Sequence, residues 1–515
     1  MVTSTTTIRT TTTTSVWCEP ESEAAPLVTF RAVFQAYQAC RKRKGKTVQT
    51  CLFEQNGLDN LFAISHDLQA QVWRPAPPVV FYVTKPKARE IYAAQFQDRV
   101  VHHWLVPRLE ALFDNELIYD CAANRKGKGT HFAVERLQRF MRKQGGKLSF
   151  LQLDVANFFN TIRHDILLNI LAKKLSNAVK KHKVSLVQAR YYYALARQII
   201  SQPMVECAIH KGDKQQGLLI PAHKQLANAP AGVGLAIGNL TSQFFANLYL
   251  NELDQFVKHR LRCRYYVRYV DDFILLHPCQ QQLQQWHRQL AVFVQARLSL
   301  ALKPLHTLAE VTQGADFLGY IVRPSYRLVR RRVVGNLYEK LLSLAKTLWR
   351  PCAGGWHCDL NYPLREQLRA ILASYWGHFN HANTRRLKNW FFQRFAWLSA
   401  LYRCEINLTP RWQPHHVTTF AQQVAYFKRH YSVPCLLLQK GNQVIELHCG
   451  AVYPINQVNQ RLQQAQQQGQ AYALVTEQGY LRSGLKRRVL RQLWLPAGTD
   501  DDYFSVQPQE EHAYA

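Results

Sequence analysis

Three carboxylates have the types and surroundings needed for metal-assisted phosphoryl transfer. Asp154 closes the run Phe150-Leu151-Gln152-Leu153, which reads as a strand meeting a helix at Val155-Ala156-Asn157-Phe158-Phe159. Asp271 and Asp272 lie between Tyr265-Tyr266-Val267-Arg268-Tyr269-Val270 and Phe273-Ile274-Leu275-Leu276. Those β-branched and aromatic runs predict a hairpin with its acids at the turn. Adjacent acids repel each other and gain nothing in an apolar neighbourhood, so a cation would explain the placement. Three carboxylates on a small sheet can hold two Mg²⁺ ions, which take oxygen ligands and leave sites for phosphates. Such a pair activates an attacking 3′-hydroxyl and stabilises the leaving oxygen of an in-line transfer. The plain alternative is a turn that happens to be Asp-Asp.

The composition favours a polyanionic partner. The chain has 515 residues, with 65 Lys and Arg against 34 Asp and Glu, a net charge of +31. Its length suggests about three domains. Hydrophobic residues make up 47%, which excludes a wholly disordered polybasic tail. An excess of this size on a foldable chain points to nucleic acid ahead of membrane. No stretch approaches about 18 uninterrupted apolar residues, the signature of a membrane-spanning helix. The Thr-rich first residues lack a secretory apolar region, and the irregularly spaced cysteines read as reduced thiols of a cytoplasmic protein. Cys352, His357 and Cys358 do not have the spacing of a zinc knuckle.

The elements that must position the acids follow from composition and periodicity. Residues 1–27 are of low complexity and expected to be disordered. The basic run Arg41–Lys46 reads as a solvated helix end or a phosphate contact. Residues 28–147 carry short strands and helices with many basic side chains, and 148–330 hold the acids. Apolar residues at helical spacing (Leu337, Leu341, Leu344, then Leu364, Leu368, Leu372) predict a helical bundle over 331–410. Pro351 and Gly354-Gly355 separate its first two helices. From 411 to 515 the composition shifts towards Gln, with acidic final residues.

Tyr269-Val270-Asp271-Asp272, together with the strand-terminal Asp154 and its Phe158-Phe159, resembles the palm of reverse transcriptases. That resemblance runs from about residue 80 to 400. It implies an α+β right-hand polymerase of fingers, palm and helical thumb, with a small mixed C-terminal accessory domain. In the family's terms Asp154, Asp271 and Asp272 would ligate two Mg²⁺, with Mn²⁺ as a substitute, and the Val155 carbonyl would be a further oxygen. Phe159 would be the ring that leaves no room for a ribonucleotide 2′-hydroxyl; the plain reading is a core Phe. Lys85 and Arg89 would neutralise a dNTP triphosphate. Arg125, Lys126 and Lys128 resemble the next family block, which would approach template. Lys303 would sit near the triphosphate and protonate the leaving pyrophosphate, unless it is a surface lysine. Gly319, in Phe317-Leu318-Gly319-Tyr320, matches the primer grip, and Arg330 and Arg331 follow as phosphate contacts.

Ile237-Gly238-Asn239-Leu240-Thr241-Ser242-Gln243 narrows the resemblance. Most reverse transcriptases read Gln-Gly-x-x-x-Ser-Pro there, whereas this variant is typical of diversity-generating retroelements; Ala236 departs from the Pro common in that group. Ile237 offers neither donor nor acceptor near the incoming sugar, so correct and incorrect nucleotides differ by fewer oriented contacts. Ile237, Gly238 and Gln243 are therefore expected at the nucleotide. The resemblance implies copying of template RNA from a nucleic-acid primer, misincorporation at template adenines and a basic accessory variability protein as partner. The alternatives are a reverse transcriptase of ordinary fidelity in phage defence or of group II intron origin, or an inactive RNA-binding scaffold. Residues 430–497 loosely resemble the mismatch-recognition domain of mismatch-repair proteins, with Val444 at the wedge position before Glu446 and a basic helix expected over Lys486–Arg491.

Overall fold

The computed structural model describes residues 28–42, 47–84, 87–352, 354–404, 407–414, 416–481 and 483–497. Helices and sheets are mixed throughout, and the chain forms two units. One takes in the chain up to Ala315 with Arg323–Ser325; the other takes in Asp316–Val322 and everything from Tyr326. No helix among the described residues is long and apolar enough to cross a membrane. The described cysteines are free thiols.

In the first unit, strand β1 (Val79–Val83) pairs antiparallel with β2 (Arg89–Ala93) and parallel with the short β4 (Ile209–His210). A separate four-stranded sheet carries the acids. Its strands are β3 (Ser149–Asp154), β5 (Tyr265–Tyr269), β6 (Asp272–His277) and β7 (Thr307–Glu310), in the order β5-β6-β3-β7. The two central strands are nearly continuous apolar runs: Phe150, Leu151 and Leu153 on β3, and Phe273 to Leu276 on β6, are buried. An interior strand covered on both faces reads this way instead of alternating. Helix Gln280–Leu298 packs against β3 and β6, placing Leu283, Leu290 and Val294 in the core. Helix Leu240–Gln255 is buried nearly all round and packs against helix Phe96–Phe113, so both read as core helices.

Apart from Ala315, the small sheet of β8 (Ala315–Phe317), β9 (Tyr320–Val322) and β10 (Arg327–Val329) belongs to the second unit. Helices Arg331–Leu348, Tyr362–Phe379 and Arg385–Arg394 follow, as the periodicity predicts. Between the first two, at the expected break, stands a hairpin of β11 (Trp349–Cys352) and β12 (Gly355–Asp359). After the short pair β13 (Tyr402–Cys404) and β14 (Leu408–Pro410) come β15 (Cys435–Lys440), β16 (Gln443–Glu446), β17 (Val452–Pro454), β18 (Tyr472–Tyr480) and β19 (Lys486–Pro496). They complete a seven-stranded sheet in the order β11-β12-β19-β18-β15-β16-β17.

Two sequence expectations are corrected here. Lys486–Arg491 is the start of β19, not a helix. The sheet also crosses the expected boundary at 410/411, because β12 pairs with β19 from Gly355↔Pro496 to Asp359↔Gln492. Gly355 lies so close to that strand that an added Cβ would stand 2.2 Å from the Leu495 carbonyl oxygen. The C-terminal segment is thus no independent appendage.

Candidate active site

Strand pairing brings the acids together. Asp154 and Asp272 are register partners at the end of the β3/β6 ladder, and Tyr269 opposite Asp272 leaves Val270-Asp271 as a two-residue turn. Of the two turn residues only Val270 has positive φ (56°). Glycine is favoured there; a β-branched residue is strained by about 1–3 kcal/mol and persists only where its surroundings hold it. The next segment is tied in as well. The Val155 amide donates to the Asp271 carbonyl at 3.2 Å, and the Lys303 amide donates to the Asp154 carbonyl at 2.8 Å.

The electrostatics of the cluster are those of crowded acids for which burial and mutual repulsion outweigh the nearby cations. Burial, aided by the Asp154 charge, pushes the Asp271 carboxyl up to about 6, against the pull of Lys303 and Arg89. Asp272 rises to about 7, chiefly through burial and further through Asp154 and Asp271. The Gln152 side-chain amide donates to Asp272 Oδ1 at 3.1 Å and opposes that rise. Asp154 Oδ1 is buried without a hydrogen-bond partner, while its other oxygen is ion-paired with the Lys303 ammonium. Among the described residues no three acidic, imidazole or thiol groups form a preassembled metal cage. The donor set nevertheless fits a hard divalent cation: oxygen ligands, one of them orphaned, and two carboxyls whose ionised form is disfavoured until positive charge arrives.

Other predicted residues lie around these acids. Arg89 is exposed at the start of β2, and its charge is felt at Asp271. Lys85 lies outside the described residues. Phe159 is half-buried beside Phe158 with ring centroids 5.4 Å apart, and its carbonyl accepts from the Leu235 amide at 2.7 Å. That bond brings the Leu235–Gln243 loop to the Phe159 turn. Ile237 is half-buried and Gly238 exposed at φ 114°, where an added Cβ would stand 3.0 Å from Ile91 Cγ2. Gln243 lies half-buried in the first turn of the following helix.

Two residues that tie the site together were not singled out by sequence. Gln152 sits one strand period before Asp154 and so shares its face. Asn239 occupies an unspecified position of the Ile237–Gln243 motif. It is buried, accepts from the Ala94 amide at 3.1 Å and donates to the Tyr92 carbonyl at 3.1 Å, pinning the loop to β2.

The basic segment divides. Arg125 does not face outward as expected. Its side chain is 10% exposed, forks onto Asp114 at 2.7 and 3.0 Å, and donates to the Ile118 carbonyl at 2.7 Å. Those bonds spend its donors inside the protein and hold the loop. Lys126 is exposed. Lys128 is half-buried, donates to the Tyr119 carbonyl and lies 4.4 Å over the Tyr119 ring.

In the second unit Leu318 and Gly319 form a turn with φ 53° and 90°. A Cβ at Gly319 would stand 3.2 Å from His378 Cε1, and His378 also stacks on Tyr320 at 4.1 Å. Arg330 pairs with Asp316 at 2.8 Å, and Arg331 is exposed. Val444 is core, 1% exposed, so it cannot wedge into a base stack, and Glu446 is held by Arg461 at 2.8 Å. The mismatch-recognition likeness loses both its residues.

Residues 83–322 match the family described as reverse transcriptase (RNA-dependent DNA polymerase), a span containing every acid discussed for the site. The group II intron-encoded protein LtrA of Lactococcus lactis subsp. cremoris is 22% identical over 333 residues, covering 56% of this chain and 54% of LtrA. The chain thus spans about half the length of the curated relatives it matches. Among solved structures, the telomerase of Candida albicans, determined with a fragment of telomeric RNA, aligns at 10% identity with TM-score 0.35, over 70% of this chain and 60% of that one. The apo telomerase of Candida tropicalis aligns at 11% identity with TM-score 0.35, over 59% and 58%. The chain carries a reverse transcriptase domain.

Proposed function

We propose that this reverse transcriptase domain works as an RNA-directed DNA polymerase, extending a nucleic-acid primer with dNTPs along a template RNA. The observation that carries the reading is the register of Asp154 opposite Asp272, with Asp271 in the intervening turn. In this reading the β3/β5/β6/β7 sheet is the palm, the β1/β2 hairpin belongs to the fingers, and the helices from Arg331 belong to the thumb. Asp154, Asp271, Asp272 and the Val155 carbonyl would hold two Mg²⁺, or Mn²⁺ in their place. When bound, the ions lower the pKa of the attacking 3′-hydroxyl and offset charge on the leaving oxygen.

The chain's own residues do the rest. Gln152 orients the Asp272 carboxylate, and Lys303 holds a proton at Nζ beside Asp154 that a departing pyrophosphate can accept. Arg89 neutralises charge on the triphosphate, and the same role is proposed for Lys85. The Phe159 ring closes the space at C2′ and so selects deoxyribonucleotides. Lys126, Lys128, Gly319 and Arg331 take the template and primer. Arg125 supports that surface from behind instead of touching it.

We further infer that copying is error-prone, as in a diversity-generating retroelement, because Ile237 presents only an apolar surface to the nucleotide. A basic accessory variability protein is the partner this implies. The similarity to LtrA favours a second reading, a group II intron-type enzyme of ordinary fidelity. Sequencing cDNA made by the full chain on a defined RNA template separates them: errors concentrated at adenines support the first, and faithful copies the second. Absence of any cDNA from an intact, folded chain would overturn both.

A further inference from the structure

Behind the strained Val270-Asp271 turn lies a buried polar cluster. Arg268 and Asp254 are both fully buried. Arg268 Nε donates to Asp254 Oδ1 at 2.7 Å and Nη2 to Oδ2 at 2.6 Å, while the Tyr266 hydroxyl donates to Oδ1 at 2.8 Å. Nη2 also reaches Cys121 Sγ at 3.2 Å. Nη1 donates to Asn247 Oδ1 at 3.3 Å and to the Val270 carbonyl at 2.9 Å. Asn247 is fixed in turn by donating to the Ala123 carbonyl at 2.8 Å. A guanidinium has five N–H donors, and these contacts account for all of them.

Stability alone does not explain the arrangement. Replacing a buried ion pair by apolar residues is often neutral or stabilising, because desolvating two charges offsets their attraction. What an apolar pair cannot do is hold the Val270 carbonyl. That carbonyl belongs to the residue with φ 56°, and the neighbouring Asp271 carbonyl accepts from the Val155 amide. Both peptide oxygens of the turn are therefore gripped, one by Arg268 and one by the strand bearing Asp154.

We propose that Arg268, aligned by Asp254 and Asn247, is a positioning residue that clamps the turn and sets where Asp271 and Asp272 present their carboxylates to a divalent cation. The proposal rests on the polymerase reading above.

The test uses the full chain carrying Arg268→Lys. Lysine keeps a charge opposite Asp254 but lacks the planar fork needed to reach Asp254 and Val270 together. Thermal unfolding, Mn²⁺ binding followed by electron paramagnetic resonance, and primer extension are measured side by side. The expected result is a folded protein with template–primer affinity and dNTP KM within about twofold of the unaltered chain, but kcat about 10- to 100-fold lower. Mn²⁺ affinity should fall about tenfold. A folded Arg268→Lys chain with unchanged kcat and Mn²⁺ affinity would overturn the clamp.

If that variant does not fold, Asp254→Asn with Arg268→Met removes both charges, and the same losses are expected. In a Val270→Gly background, where positive φ carries no strain, the Arg268→Lys penalty in Mn²⁺ affinity and kcat should shrink at least about threefold. An equal penalty in both backgrounds would also overturn the proposal. The outcomes stay separable from the polymerase reading: an unaltered chain that extends no primer defeats that reading, while the Mn²⁺ titration still reports on the clamp.

Discussion

The two large sheets treat their acids in opposite ways. In the C-terminal sheet the acids are met by cations. Glu446 pairs with Arg461 and accepts from the Tyr453 hydroxyl, Glu477 pairs with Arg488 and Lys486, and Asp359 pairs with Arg491. Burial alone would raise Glu446, yet hydrogen bonds from Arg461 and Tyr453 bring it below the ordinary carboxylate range. In the β3/β6 sheet, burial and mutual repulsion win, leaving Asp271 at about 6 and Asp272 at about 7 with one Asp154 oxygen unpartnered. A carboxylate completed by its own protein serves the fold. A cluster left short of positive charge is one that a divalent cation would complete.

The largest effect that tests this contrast is loss of the unsatisfied acids. Asp271→Ala or Asp272→Ala should lower single-turnover primer extension at least about 1,000-fold, as expected when metal-assisted stabilisation of the transferring phosphoryl group is lost. Template–primer affinity should stay within about threefold in a filter-binding assay. Near-normal extension would show that these acids are as structural as those of the other sheet. Next in size is Lys303→Met, which removes the ammonium from Asp154. It should lower kcat about 100-fold, the range of a lost general acid, while thermal stability changes little. A kcat within about twofold would reduce Lys303 to a surface ion pair.

The satisfied acids should show the reverse signature. Glu446→Ala leaves Arg461, 16% exposed, without its partner. Breaking such a pair is expected to cost about 3 kcal/mol in chemical denaturation with kcat unchanged. Glu446→Gln tests the same group through pH. Because its folded-state pKa is lowered, Glu446 adds stability above the unfolded carboxylate pKa of about 4.3 and loses it as pH falls through the folded value. The unaltered chain should therefore lose more thermal stability than Glu446→Gln on acidification below that point. Parallel curves would show that Glu446 is not linked to folding. Deleting residues 411–515 is a poorer test of either sheet, because it strips β19 from β12.

What could be read in the sequence follows the same division. The β3 and β6 runs are local and mainly apolar, broken by Gln152 as well as by their acids, so the residue pattern located the hairpin and the Asp154 strand end directly. Lys486–Arg491 misled because β19 is an interior strand. Arg488, Val489 and Leu490 are all buried, so the two-residue alternation is erased. The Glu477 and Gln439 groups that receive Arg488 also come from other strands. Arg125 misled for a related reason: composition marks it as basic, but only the fold places Asp114 under its guanidinium. Arg268 was the reverse case. An arginine inside an apolar strand signals a buried partner, and nothing local identifies Asp254 as that partner.

The smallest expected effect asks how the unsatisfied site treats its substrate. Ile237 sits in a loop fixed at three points: Leu235 to the Phe159 carbonyl, Gly238 against Ile91, and Asn239 to the backbone of Tyr92 and Ala94. A substitution at 237 therefore changes the chemistry of one half-buried side chain without freeing the loop. Ile237→Gln adds a donor and an acceptor where none exists. One oriented contact favouring the correct nucleotide is worth about 1 kcal/mol, or roughly a fivefold drop in misincorporation at template adenines. Sequencing cDNA from both chains on one RNA template measures that ratio. An unchanged error spectrum would remove the fidelity argument from Ile237 and leave the intron-type reading the stronger of the two, without touching the acids that make the site a polymerase candidate.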